Sequence, residues 1–274
     1  MSMQIHPTAI IYEGAQLGPD VTVGPYVVIG PHVTLGEGVV VQSHSVIEGH
    51  TTIGPGTKIF PHAVIGTQTQ DLKYRGERTF VDIGARCQIR EFVTINSSSG
   101  EDTRVSVGDE CLIMACCHVA HHCSVGSRVI MANGVLLAGH VTIEEGATIG
   151  GMTPIHQWVR IGRHAMVGGM SGVGYDVPPY MIGGGVPFRM GGINLVGLKR
   201  RNVPLTTRNE LALAFRILYR QKLRTHEAMA EIAKCCQPVP EILHLLEFIQ
   251  ATSRGLVCMH GATEGSRQEA DSSC

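Results

Sequence analysis

An all-β solenoid closed by helices is the fold this sequence predicts, on three observations. Aliphatic residues recur at a spacing of six over two thirds of the chain, and near Leu205 that pattern gives way to a helical one. Glycine supplies 34 of 274 residues, about 12% against a usual ~7%, while tryptophan occurs once, which argues against a core built on aromatic side chains. The first run is Ile5, Ile11, Leu17, Val23, Ile29, Leu35, Val41, Ile47, Ile53, Ile59 and Ile65. It resumes at Ile83, Ile89 and Ile95, and again from Val107 through twelve positions to Val173, all in one phase. Glycine follows 13 of these 26 aliphatics, which gives a signature of aliphatic, small residue, then four variable positions.

A period of six requires a short strand and a tight turn, with one aliphatic turned inward per repeat and glycine where the backbone bends or is closely approached. Three such flats close a triangular coil of eighteen residues. Coils then stack through parallel hydrogen bonding at ~4.8 Å, lining the aliphatics up as columns inside a prism. This parallel β-helix of hexapeptide repeats spans residues 1–204. The period fails near 66–82 and 96–106, so loops leave the prism there, and loops on a rigid scaffold are where function concentrates. From Leu205 a C-terminal α-helical domain is predicted over 205–255. Thr207 and Glu210 fit a capping box, Leu211, Ala214, Phe215, Leu218 and Lys222 mark one helical face, and a further helix follows Pro238 and Pro240 over EILHLLEFIQAT. Residues 256–274 are polar and patternless, which predicts a disordered tail.

A formal charge of -1 with 16% charged residues is the wrong balance for a nucleic-acid binder. The apolar runs are far shorter than the ~18 residues of a membrane helix, so no transmembrane segment is expected, and MSMQIHPTAI lacks the charged and apolar regions of a leader. Nine cysteines, an odd number that includes the vicinal pairs Cys116–Cys117 and Cys235–Cys236, read as reduced thiols and a cytoplasmic location.

The segment CLIMACCHVAHHC has the composition of a metal site, but the repeat spreads Cys116, Cys117 and Cys123 over different flats, so no metal is expected and the cysteines read as small buried residues. Eighteen residues per coil instead put His121, Gly139 and Gln157 in one column, His122, His140 and Trp158 in the next, and Ala120, Ala138 and His156 in the one before. Neutral imidazole is poised to remove a hydroxyl proton near pH 7, and a backbone N–H at a residue without a side chain can approach a developing oxyanion. His121 and Gly139, one coil apart in the same column, therefore read as base and oxyanion donor for acyl transfer.

The hexapeptide register resembles that of the hexapeptide-repeat acyltransferases, which implies a left-handed winding. Seven strings sharpen the resemblance: HPTAI (6–10), QDLKYRGE (70–77), HVAHHC (118–123), LAGHV (137–141), IGGMTPIHQ (149–157), DVPPY (176–180) and GLKRR (197–201). Over about residues 5–255 the chain is similar to the UDP-N-acetylglucosamine O-acyltransferases of lipid A biosynthesis. That resemblance implies a homotrimer with clefts between prisms and transfer of a 3-hydroxyacyl chain from acyl carrier protein to the glucosamine 3-hydroxyl, with no cofactor and no covalent intermediate. It assigns His121 as base and Gly139 N–H to the oxyanion. Gln70, Asp71 and Lys73 are assigned to substrate, as are His118, His140, His156 and Gln157. Asn194, Arg200 and Arg201 fall to the nucleotide and its diphosphate, where guanidinium forks suit phosphate. Gly169 matches the position that limits acyl length. The acidic carrier protein would dock near Lys199, Arg200, Arg201 and Arg208.

Three departures stand against the pattern. His122 occupies the place of a usual aspartate; INSSSGE (95–101) replaces a basic segment, with Ser97 where an arginine stands, and Val196 replaces a glutamate near the uridine; and Pro187 and Phe188 occupy the stretch that bounds the acyl groove, so a preference for a 3-hydroxylated over a plain chain does not carry over. Alternative readings are N-acylation of a 3-amino sugar, another hexapeptide acyltransferase activity, and a γ-type carbonic anhydrase, in which histidines on such a prism hold zinc.

Overall fold

The structure, a computed structural model, describes residues 3–257. Its strands are mostly two residues long and fall into three sheets of 11, 8 and 8 strands, and throughout the coils, up to Met166–Val167, they are parallel and each pairs with strands three places away in the chain. Val64–Ile65 pairs with Val46–Ile47 at an offset of 18, then with Thr94–Ile95 at 30, and Thr94–Ile95 pairs with His118–Val119 at 24. The two insertions are thus twelve and six residues long. Both are multiples of six, which is why the aliphatic phase survives them.

From Val23 to Val173 every six-spaced aliphatic is at most 3% exposed, whereas Ile5 in the first coil is 46% exposed because no coil covers it. A second inward column, two positions earlier in each repeat, was not separated by the period alone. It holds small residues: Val21, Val27, Val33, then Ser45, Thr57 and the buried Cys87, Cys111, Cys117 and Cys123. These reach the next coil's carbonyls. Thr57 Oγ1 donates to Gly84 O at 2.7 Å, and the thiols of Cys111, Cys117 and Cys123 donate to Gly126, Ala132 and Ala138 at 3.1 Å. Cysteine therefore serves as a weakly polar stand-in for serine or threonine.

The chain turns each corner through a left-handed residue. Tyr26, His44, His62, Phe92, Cys116, Met152 and Met170 stack at one corner, Arg86, Glu110, Arg128, His164 and Tyr180 at a second, and His122, His140 and Trp158 at the third, all with φ between 54° and 68°. Non-glycine residues there are uncommon, and histidine is among those that tolerate it.

The last coils lead into Met181–Gly184, which pairs antiparallel with Arg189–Ile193. Four helices follow: α1 (Leu195–Arg200), α2 (Leu205–Arg220), α3 (Thr225–Cys235) and α4 (Pro240–Gln250). The expected capping box at Thr207 and Glu210 is not formed. Pro204, with φ already at −55°, caps α2; Thr207 lies buried inside the helix, and Glu210 accepts from Gln237 N–H. Half of a capping box forms instead at α3, which sequence reading passed over, where Arg224 N–H donates to Glu227 Oε2 at 2.8 Å. Buried Asp176 fastens the helices to the prism, accepting from Arg160 N–H at 2.8 Å and Thr252 Oγ1 at 2.6 Å. The Arg160 guanidinium lies 4.2 Å from the Phe248 ring centroid. Leu256 and Val257, assigned to the tail, are bonded to Asp176, and the rest of that expectation lies outside the described residues.

Candidate active site

His118 stands on a flat, its Nδ1 2.7 Å from Thr94 Oγ1, and the next corner carries His121 and His122. His140 stacks on His122 with ring centroids 4.2 Å apart, and Trp158 on His140 at 3.7 Å. His140 N–H donates to His121 O at 3.0 Å and Trp158 N–H to Gly139 O at 3.2 Å, so the columns read from the eighteen-residue coil are present.

Gly139 is buried beneath the His121 ring. The same corner position in other coils holds Pro19, Pro25, Pro31, Pro55 and Pro61, where an N–H is dispensable because the ladder has no use for it. At Gly139 that N–H is retained, and among the described residues it has no acceptor. A free donor beside an imidazole at a glycine is an arrangement suited to a developing oxyanion.

The two insertions are stitched together over this edge. Ser97 Oγ accepts from Thr69 N–H at 3.1 Å, Asn96 Nδ2 donates to Gln68 O at 3.1 Å, and Ser99 Oγ donates to Asp71 Oδ2 at 2.7 Å. Ser98 Oγ accepts from His122 N–H at 3.2 Å. Asp71 Oδ2 consequently lies 3.9 Å from His121 Nδ1, and that nitrogen lies 3.0 Å from His122 Nδ1. Gln70, Asp71, Asn96, His118, His121 and Pro154 help line a cavity of about 350 Å³. Asn96 is buried there, with no hydrogen-bond partner for its Oδ1.

Burial pushes the His118 imidazole below its usual range. Burial, with His121 alongside, does the same to His122, and burial with His122 and His121 brings His140 to about 4. All three are therefore neutral near pH 7. Asp71 is held below the usual carboxylate range by the Lys73 N–H and the Ser99 hydroxyl, and is anionic. Ring nitrogens of His121, His122 and His140 lie within 4.8 Å of one another, the group able to hold a metal ion among the described residues.

Not every expected residue converges here. Lys73 contributes its backbone N–H to Asp71 Oδ1 at 2.9 Å while its side chain is exposed. His156 and Gln157 lie on the exposed surface one coil on. Asn194 caps α1, spending its amide on His164 O and Gly197 N–H, and Arg201 Nη2 donates to Gly146 O at 2.7 Å. Asn194, Arg200 and Arg201 thus sit by the His164 corner, not the His122 corner. Gly169 lies by the corner of Met152 and Met170, where an added Cβ would stand 3.2 Å from Gly151 O. Sequence reading missed Asn96; the signal available was a polar residue directly after Ile95, where half the repeats have glycine.

Residues 176–257 match the family described as UDP-N-acetylglucosamine O-acyltransferase, domain 2, and residues 2–37, 14–49 and 104–139 match the bacterial transferase hexapeptide. The chain is 47% identical to the acyl-[acyl-carrier-protein]--UDP-N-acetylglucosamine O-acyltransferase of Verminephrobacter eiseniae over 258 residues, covering 92% of this chain and 98% of that one. It is 46% identical to the protein of the same name from Gloeothece citriformis, covering 72% and 71%. Among solved structures, a UDP-N-acetylglucosamine acyltransferase from Bacteroides fragilis superposes with a TM-score of 0.90 at 35% identity, covering 93% of this chain and 100% of that one. The Acinetobacter baumannii structure does so with a TM-score of 0.90 at 38% identity, covering 92% and 99%. The winding shared with these neighbours is the left-handed parallel β-helix.

Proposed function

From its membership of the UDP-N-acetylglucosamine O-acyltransferase family, which the chain belongs to, we propose how this chain carries out acyl transfer. It moves an acyl group from acyl carrier protein to the 3-hydroxyl of UDP-N-acetylglucosamine, the first step of lipid A biosynthesis. The observation that carries the reading is an imidazole lying against a buried N–H without an acceptor, at the wall of a cavity.

His121 Nε2 removes the proton of the sugar hydroxyl as its oxygen attacks the thioester carbonyl carbon. Gly139 N–H donates to the oxyanion that forms. When the C–S bond breaks, the carrier protein's thiolate takes the proton back from the imidazolium, and His121 is neutral again. His118, with its ring fixed by Thr94, and His140, fixed in the aromatic stack, wall the site beside the base. Gln70, Asp71 and Lys73 lie along the loop that covers it and contact the sugar and the polar part of the acyl group. Asn96 Oδ1 is the acceptor for a ligand donor, and a 3-hydroxyl on the acyl chain is such a donor.

Arg200 and Arg201 serve the diphosphate. Burial and the neighbouring Arg128 hold the Arg201 guanidinium below its usual range, a strain that an anion relieves. Because these arginines and Asn194 sit by another corner than His121, the site is completed between chains, and a homotrimer brings the α1 corner of one copy to the histidine edge of its neighbour. His156 and Gln157 then line the sugar side of that cleft, and Gly169 leaves room for a long acyl chain. Among the described residues no helix is long and apolar enough to cross a membrane, and the reaction is assigned to the cytoplasm, where the nucleotide sugar and the carrier protein occur. Incubating the purified protein with UDP-N-acetylglucosamine and a panel of carrier-protein thioesters, hydroxylated and plain, tests the reading. Ester formed at the 3-hydroxyl supports it, and carbon dioxide hydration or amide formation on a 3-amino sugar alone contradicts it.

A further inference from the structure

We propose that Asp71 is a positioning residue for His121, selecting together with His122 the imidazole tautomer that can act as a base; the inference rests on the role of His121 proposed above. His121 Nδ1 and His122 Nδ1 face each other at 3.0 Å, and in the state in which His121 can act as a base, with both rings uncharged, a single proton lies between them. If His122 holds it, His121 carries its own proton on Nε2, beside Gly139, and cannot accept another there. If His121 holds it, Nε2 has a free lone pair where the substrate hydroxyl arrives.

The surroundings of the pair decide between these states. His121 is faced by His122, by His140 edge-on with ring centroids 5.1 Å apart, and by Asp71, while Lys73 acts on the group from the same loop as Asp71. Among the described residues facing His121, only Asp71 brings negative charge. Its Oδ2 stands 3.9 Å from His121 Nδ1, with the two side chains 16% and 20% exposed, so solvent screens the interaction only in part. A proton on His121 Nδ1 lies closest to that charge. The same carboxylate favours the imidazolium formed when Nε2 takes the substrate proton.

The carboxylate is not free to swing away, since Lys73 N–H holds Oδ1 and Ser99 Oγ holds Oδ2. His122 is equally fixed, by Ser98 at its backbone N–H and by stacking on His140, which in turn stacks on Trp158. Burial and the nearby His121 keep His122 neutral and able to accept. The serine run 97–99 thus anchors the loop, His122 and Asp71 through three successive hydroxyls.

Ring ¹⁵N spectra of the full-length protein and of Asp71→Asn, read at neutral pH without substrate, test the tautomer directly and are informative even if the protein transfers no acyl group. The expected result is a proton on His121 Nδ1 in the wild type and a shift of population to Nε2–H in Asp71→Asn; an unchanged tautomer overturns the proposal. In kinetics, Asp71→Asn is expected to lower kcat by about 10²-fold, within the range for impaired acid–base catalysis. Adding His122→Asp, which returns a carboxylate to the Nδ1 edge, is expected to restore kcat at least tenfold while any rise in KM from a lost sugar contact persists. An Asp71→Asn enzyme with wild-type kcat, or a folded double variant no faster than Asp71→Asn, overturns it.

Discussion

The His121 ring covers Gly139 so closely that a Cβ added there would stand 2.3 Å from its Cε1 and 2.4 Å from its Nε2. The glycine's own φ is not in the left-handed region, so the constraint is the imidazole and not the backbone. Gly139→Ala is therefore expected to fold normally but to push the ring aside, with a loss of kcat on the order of 10²-fold for a displacement near 1 Å. Steady-state kinetics beside circular dichroism check this.

His140 titrates near 4 in the folded chain against 6.5 unfolded. Between those values the unfolded state binds more protons, so stability falls as pH drops through that window and is insensitive to this group above it. His140→Gln removes the titration. Its melting temperature is expected to fall less than that of the wild type between pH 7 and pH 4.5, and differential scanning calorimetry at stepped pH measures the difference.

Asn96 offers a buried acceptor to the cavity while its amide nitrogen holds the loop at Gln68. Asn96→Ala weakens the loop anchor for every substrate alike, but loses the acceptor only for a donor-bearing one. The preference in kcat/KM for a 3-hydroxyacyl over a plain acyl thioester is expected to fall by about tenfold, the worth of one hydrogen bond near 1.4 kcal/mol.

His121 and Arg201 sit at different corners of one prism. If the cleft is shared between copies, His121→Ala chains unfolded and refolded together with Arg201→Ala chains will regain activity above either parent, because some interfaces then pair an intact histidine edge with an intact α1. No recovery in mixed trimers, verified by native mass spectrometry, would locate the site within one chain.

The prism was legible because its signal is redundant: each of some two dozen repeats states the same inward aliphatic, and the insertions keep the phase. The histidine and glycine columns followed from the coil length alone. The bond from Ser99 to Asp71 was not legible, since it joins two insertions whose paths no period constrains. The start of α2 at Leu205 was legible, but its cap was misjudged because Thr207 and Glu210 satisfy a local pattern that Pro204 pre-empts. Helix α3 has only Ala228 and Ile232 fully buried, too few apolar positions to stand out from the polar residues around them. Neither the alternative corners of Asn194 and Gly169 nor the spent amide of Asn194 could be read without knowing which turn each occupies.

The most direct test is a single-turnover measurement of acyl transfer from 3-hydroxyacyl carrier protein to UDP-N-acetylglucosamine, by the wild type and by His121→Ala, each shown to be folded and of the same oligomeric state. The account predicts 3-O-acylated product from the wild type and a rate lower by about 10³-fold in the variant. Wild-type transfer rates in His121→Ala, or no product from the intact protein, would contradict it.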